Sequence, residues 1–164
     1  MGCSSTRTPD ELAAVLAHEM QHILRGHTMR QLLQQASLKV LFAAITGNLS
    51  EATSYGLGAA NTLAVLRYSR QYEEEADREA IRLLAAAGME PMGLASFFET
   101  LKKKEGSTGT FPAYLSTHPD LDERIRKARL LAEQAGASRG LLVQEHSWKD
   151  IHAVCTQPGA KPNP

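Results

Sequence analysis

This chain of 164 residues is constrained most by one short run, His18-Glu19-Met20-Gln21-His22. The run lies in a predicted amphipathic helix that begins at Pro9, with Thr8 as the N-cap and Glu11 completing a capping box. Residues four apart lie on the same face of a helix, so the imidazoles of His18 and His22 can reach one metal ion. The run therefore predicts a metal site built on a helix.

Glu19 lies about 100° around this helix from His18. From there its carboxylate can reach a water on the metal without binding the metal itself. Histidine nitrogens as ligands indicate zinc. The alternative is a pair of surface histidines with a glutamate between them, but the well-capped helix favours a catalytic zinc site with Glu19 as the general base.

A catalytic zinc site usually has three protein ligands and one water. His27 is a poor third ligand, because it is out of register with the HExxHxxGxxH pattern and is predicted to lie at a helix end, near the dipole. Glu73 and Asp77 share one face of a later predicted helix, so Glu73 can bind the metal while Asp77 accepts a hydrogen bond from a ligand imidazole. Composition alone favours the alternative, a solvated acidic face paired with neighbouring arginines.

Three motifs follow one another along the chain. They are HExxH at 18–22, ExxAD at 73–77 preceded by Tyr68-Ser69-Arg70, and Ser116-Thr117-His118-Pro119 followed by Arg124. With these motifs the sequence resembles the gluzincin metallopeptidases, in the family that includes the CAAX prenyl protease, the heat-shock protease HtpX and the periplasmic protease BepA. The resemblance covers roughly residues 8–155.

This resemblance implies one zinc ion per chain and a set of site residues. Within ExxAD the ligand is the first glutamate, Glu73, and not Glu74 or Glu75. The implied residues are His18, His22 and Glu73 as zinc ligands, Asp77 as the acid behind them, and Glu19 as the general base.

Two further residues have open roles. In similar soluble proteins the His-Pro loop lies over the zinc, so His118 would stabilise the reaction intermediate or bind zinc as a reversible fourth ligand. The alternative for His118 is a loop histidine beside a helix-starting proline. Arg124 would pair with an acid of the site or help to hold an oxyanion, and its alternative is a surface salt bridge. Arg70 is predicted to be structural, paired with a carboxylate near the long helix.

The rest of the sequence predicts a mainly α, zincin-like fold of about five helices with little β structure. The later helices are predicted from a capping box at Thr28, from Asn61, from Pro91 and from Pro119, with loops at 47–60 and 105–110 and a short strand and helical turn within 141–155. We expect the metallopeptidase domain to span 8–155, between a disordered leader, 1–7, and a disordered tail, 156–164.

Composition and segment length exclude other classes. Lys+Arg and Asp+Glu both number 18 and aromatic residues make up 5%, so no basic, base-stacking surface for nucleic acid is expected. No apolar run approaches the roughly 20 residues of a transmembrane span, and the first residues show no apolar signal segment. By resemblance to the soluble branch, we expect a periplasmic or membrane-peripheral location.

The predicted function is zinc-dependent cleavage of unfolded or misfolded proteins. The alternative is a zinc-stabilised binding or chaperone-like module with little turnover. The resembling proteins usually carry a β-hairpin before the HExxH helix, whose edge strand pairs with substrate. Since only about seven residues precede the first predicted helix, which is too few for such a hairpin, we expect this chain by itself to be a weak protease.

Overall fold

The computed structural model describes residues 6–47, 57–108 and 120–136, together with Trp148 and Ala153. Within these residues it has five long helices and no strand, which confirms the mainly α prediction. The helices are α1 (Pro9–Leu24), α2 (His27–Thr46), α3 (Leu57–Ala86), α4 (Gly93–Thr108) and α5 (Leu121–Ala135). None of the described helices has both the length and the apolar content needed to cross a bilayer.

The start of α1 is close to the prediction. The Thr8 side chain accepts a hydrogen bond from the backbone N–H of Glu11 at 3.2 Å, and Pro9 occupies the first turn. The Glu11 carboxylate, however, does not close the capping box on Thr8. It accepts from the backbone N–H of Arg7 at 2.7 Å and from the hydroxyl of Thr100 at 3.0 Å. Glu11 is buried, and its hydrogen bond with Thr100 connects the first turn of α1 to α4.

The turn between α1 and α2 differs from the prediction. The capping box at Thr28 is wrong: α2 begins at His27, its N-cap is Gly26, and no side chain caps it. Gly26 has φ 61°, a left-handed conformation that glycine adopts at little cost. It ends α1 just after the C-cap Arg25 and begins α2 at the next residue. The end of α2 at Gly47 is as predicted.

Three other boundaries were also predicted wrongly. The long helix α3 begins at Leu57 rather than Asn61, because Ala59 and Ala60 are strong helix formers that extend it. α4 begins at Gly93 rather than Pro91 and continues to Thr108 through most of the predicted loop 105–110, since each residue added to an existing helix gains a hydrogen bond. The strand predicted within 141–155 lies outside the described residues, apart from Trp148 and Ala153, which are both helical.

The core lies where α1, α3, α4 and α5 meet. Ala76 and Ala80 of α3 are fully buried, and their small side chains let α1 approach α3 closely. Phe97 and Phe98 are the largest fully buried side chains and fill the α4 side of the core. This packing brings the HExxH face of α1 against the ExxAD face of α3.

The spacing of the large apolar residues in α1 predicts that they share one buried face: Leu12, Val15, Leu16, Met20, Ile23 and Leu24. The face that is buried differs from this one and shares only Val15 with it. It carries Glu11, Ala14, Val15, Ala17, His18 and Gln21. Ten large apolar side chains of α1 and α2 are instead exposed, and we call them the apolar strip. Its members are each at least 48% exposed: Leu16, Met20, Ile23, Leu24, Met29, Leu32, Leu33, Val40, Leu41 and Ile45.

Candidate metal centre

Three side chains converge at the contact between α1 and α3. His18 Nε2 and His22 Nε2 are 3.0 Å apart, and Glu73 places one carboxylate oxygen 3.4 Å from the first and the other 3.3 Å from the second. Ligand atoms about 2.1 Å from a tetrahedral zinc ion lie about 3.4 Å from one another. The three side chains therefore have the spacing of ligands to a single ion, and each offers one ligand atom within 4.8 Å of the others.

Asp77 determines which nitrogen of His18 faces this point. Its Oδ1 lies 2.9 Å from His18 Nδ1, and the His18 side chain is completely buried. A carboxylate can only accept, so we assign the imidazole proton to Nδ1, which leaves the Nε2 lone pair directed at His22 and Glu73. Burial lowers the pKa of His18, but the hydrogen bonds to Asp77 and Glu73 outweigh it and raise the pKa above its usual value. The surroundings thus favour positive charge here, which a divalent cation supplies.

Arg124, from α5, holds both acids of the α3 face. Its Nε and Nη2 donate to the two carboxylate oxygens of Asp77 at 2.8 and 2.7 Å, and its Nη1 lies 2.9 Å from Glu73 Oε2. The guanidinium is buried and lies over the ring of Phe98 at 4.3 Å. Burial alone would raise the pKa of Asp77, but the charge of Arg124 and the hydrogen bond with His18 lower it below its usual range. Asp77 is therefore ionised and able to orient His18.

The three consecutive glutamates of α3 have different surroundings. The Glu73 side chain is 5% exposed and faces the histidines. Glu74 is 49% exposed and pairs with Lys127 at 2.8 Å, while Glu75 pairs with Arg25 at 2.9 Å. Only the first of the three lies with His18 and His22.

Of the other predicted site residues, the structure describes Glu19 and Arg70 but not His118. Glu19 follows His18 in α1 and is partly exposed. Arg70 pairs with Asp120 at 2.5 Å, as expected of a structural arginine beside the long helix. His118 lies outside the described residues, so the structure does not place it.

The spacing of metal ligands in the sequence did not identify one residue next to the site. His27 is buried, and its Nδ1 lies 3.0 Å from Nδ1 of His22. Burial lowers the pKa of His27, although the hydrogen bond with Glu75 raises it. The sequence signal was Gly26, whose left-handed turn places His27 beside His22 without the helical spacing of a ligand.

An HExxH helix packed on an ExxAD helix, with both histidines and one glutamate at a single point, defines a metallopeptidase of the gluzincin kind. Residues 3–132 match peptidase family M48, and because this match covers most of the chain, the chain belongs to that family. The resemblance drawn from the three motifs is thereby confirmed. Membership implies a bound metal, and the donor set described above fits one.

Relatives of this chain have names that describe proteases, as the family match implies. The chain is 34% identical over 152 residues to the mitochondrial metalloendopeptidase OMA1 of Schizosaccharomyces pombe, covering 87% of this chain and 44% of the relative. It is 34% identical over 134 residues to the metalloprotease LoiP of Escherichia coli, covering 78% and 52%. It is 30% identical over 139 residues to the beta-barrel assembly-enhancing protease of Yersinia pestis, covering 79% and 29%. The chain thus spans between about a quarter and a half of the length of these relatives. No solved structure matches the chain significantly.

Proposed function

We propose that this chain is a zinc-dependent endopeptidase that cleaves unfolded or misfolded proteins. The observation that carries the proposal is the convergence of His18, His22 and Glu73 at ligand spacing, with the Asp77 carboxylate 2.9 Å from the Nδ1 of His18. A purely structural zinc site has no use for a glutamate at the second position of HExxH. Glu19 and the M48 match therefore favour turnover over the binding-module alternative.

His18, His22 and Glu73 would hold one zinc ion per chain, which when bound lowers the pKa of a water and polarises the scissile carbonyl. Asp77 keeps the imidazole of His18 oriented. Arg124 holds Glu73 and Asp77 in place through its three contacts. In this proposal Arg124 positions ligands and does not hold an oxyanion, because its donors are directed at the two acids.

Glu19 would be the general base. Its carboxylate takes the proton of the attacking water and passes it to the departing amine. His118 would act opposite Glu19, either by donating a hydrogen bond to the developing oxyanion or as a reversible fourth ligand.

Zinc content and casein cleavage, measured on the wild type and on Glu19→Gln, test the proposal. We expect one zinc per chain in both proteins. Only the wild type should cleave, because glutamine is nearly isosteric with glutamate but cannot take up a proton. Cleavage by Glu19→Gln at the wild-type rate would reject Glu19 as the base, and a wild type without zinc would reject the metal centre.

His118 is tested by His118→Ala, which should keep stoichiometric zinc and change the rate of cleavage. The rate falls if His118 stabilises the transition state and rises if it is a blocking fourth ligand. An unchanged rate would show that it is an ordinary loop histidine.

The location that we propose is the periplasm or a membrane surface. It is supported by the resemblance to the soluble branch of the family and by a relative named for beta-barrel assembly. Fractionation of cells that express the native gene tests it, and recovery of the protein in the cytosol alone would contradict it.

A further inference from the structure

The two histidines of the proposed site have different groups behind them. The Nδ1 of His18 has Asp77 Oδ1 at 2.9 Å, whereas the corresponding atom of His22 faces another imidazole, that of His27, at 3.0 Å. A metal-binding histidine nearly always has a hydrogen-bond acceptor on its other nitrogen, and that acceptor fixes both the tautomer and the orientation of the ring. At His22 the neighbouring atom that could accept such a hydrogen bond is Nδ1 of His27.

Glu75 determines which nitrogen of His27 is free to accept, because it contacts the other nitrogen of that ring. Its Oε2 lies 3.3 Å from His27 Nε2, and nearby arginines also contact its carboxylate. A carboxylate paired with arginines accepts hydrogen bonds, so we assign the His27 proton to Nε2. The Nδ1 of a neutral His27 then carries a lone pair, and His22 donates to it from Nδ1. The remaining nitrogen of His22, Nε2, is left with its lone pair facing His18 and Glu73.

The surroundings of His27 hold it in this position. Its ring is 2% exposed and stacks on Tyr72, with ring centroids 4.7 Å apart and planes 20° apart. Tyr72 is itself held by the hydrogen bond from its hydroxyl to Gln34 at 2.8 Å. Glu75 is held by Arg25 at 2.9 Å and Arg30 at 3.4 Å. These contacts join the end of α1, the start of α2 and the middle of α3.

We propose that His27 and Glu75 are positioning residues for the metal, forming a relay from Glu75 through His27 to His22 that does for the second histidine what Asp77 does for the first. The proposal rests on the proposed function, because it takes His22 as a zinc ligand. In this role neither His27 nor Glu75 would contact the metal or the substrate. Their role is to keep Nε2 of His22 unprotonated and aimed at the ion.

The first test is zinc affinity, measured by competition with a chelator. His27→Phe preserves a ring for stacking on Tyr72 but removes the acceptor, so we expect the affinity to fall about 10- to 100-fold. His27→Asn places a carbonyl oxygen where Nδ1 was and should bind zinc more nearly like the wild type than like His27→Phe. Glu75→Gln should lower the affinity less than His27→Phe, because an amide no longer dictates the tautomer of His27. Glu74→Gln, which alters only the exposed pair with Lys127, is the matched control and should bind like the wild type.

The second test is proton NMR of the zinc-loaded proteins. In the wild type, Nδ1–H protons of His18 and His22 should both be visible, because each is held in a hydrogen bond. His27→Phe should lose the His22 signal and keep that of His18, which also shows that the variant is folded, and His27→Asn should keep both signals.

The two tests distinguish failure of the relay from failure of the proposed function. An unchanged zinc affinity in His27→Phe overturns the relay. So does an equal loss in His27→Phe and His27→Asn with the His22 signal retained, which would show that His27 acts by packing alone. A wild type that binds no zinc removes the proposed function and the relay with it, whereas a zinc-binding wild type with an insensitive His27 removes only the relay.

Discussion

At the scale of single residues, Glu73 differs from its two neighbours in what it faces. It lies buried against the histidines, whereas Glu74 and Glu75 pair with cations. Glu73→Ala should therefore lower zinc affinity far more than Glu75→Ala, and Glu74→Ala should have the smallest effect. Isothermal titration with zinc measures all three. Equal losses in the three variants would contradict the assignment of the ligand.

Arg124 is a second residue whose replacement has a large expected effect. Its removal leaves Glu73 and Asp77 buried without their cation, and breaking a buried ion pair costs about 3–5 kcal/mol. We expect Arg124→Ala to lower the free energy of unfolding by that amount in urea titrations. Arg124→Lys should be nearly as unstable as Arg124→Ala, because a single ammonium cannot form the paired hydrogen bonds that the guanidinium makes with Asp77.

The control is Arg126→Ala, on an exposed position of the same helix. A similar loss in both variants would show that the effect comes from α5 in general and not from the two acids.

Spacing within a helix predicted part of this residue-scale arrangement. The i, i+4 pairs of His18 with His22 and of Glu73 with Asp77 need only the geometry of a helix. The partners of Arg124 could not be predicted in the same way, because they depend on how α5 packs across α3. His27 was missed for a related reason: its contact with His22 is set by the dihedral angles of one glycine, which helical spacing does not describe.

At the scale of the helices, the first turns of α1 and α4 touch through their backbones. A Cβ at Gly93 would lie 2.5 Å from the carbonyl oxygen of Asp10, a distance that backbone atoms cannot relieve without moving. Gly93→Ala should therefore lower the free energy of unfolding by about 1–3 kcal/mol. Lys103→Ala, exposed on the same helix, should be nearly neutral. A neutral Gly93→Ala in thermal unfolding would show that the two helices do not approach this closely.

The orientation of α1 was the feature of the helices that periodicity predicted least well. Its large apolar residues suggested that Leu16, Met20 and Ile23 face the core, yet these belong to the apolar strip. The face with His18 and Gln21 is buried instead, because the acids of α3 and Arg124 are inside the protein and give the polar side chains of α1 partners there. An apolar pattern alone cannot predict an interior that is partly ionic.

At the scale of the whole molecule, the site joins three segments that are far apart in sequence. Its residues come from α1, α3 and α5, so the site exists only when these helices are packed together. A metal that binds only the folded state stabilises it, by about 2.7 kcal/mol at a free concentration one hundred times the dissociation constant. We expect zinc to raise the melting temperature of the wild type and a chelator to reverse the rise. Glu73→Ala should respond much less, and an equal response in both proteins would show that the stabilisation arises elsewhere.

Gly26 has a consequence for how such a chain can vary. Two helices meet at this one residue, so the angular register between His22 and His27 depends on the length of the turn as much as on its chemistry. One inserted residue would change the direction in which α2 leaves the turn and would carry His27 away from His22, even if every side chain of the site were retained. Alanine at position 26 would keep the length but meet the cost of a left-handed conformation, about 1–2 kcal/mol. If the proposed metal centre depends on His27, the length of this turn therefore matters to it as much as the identity of its side chains.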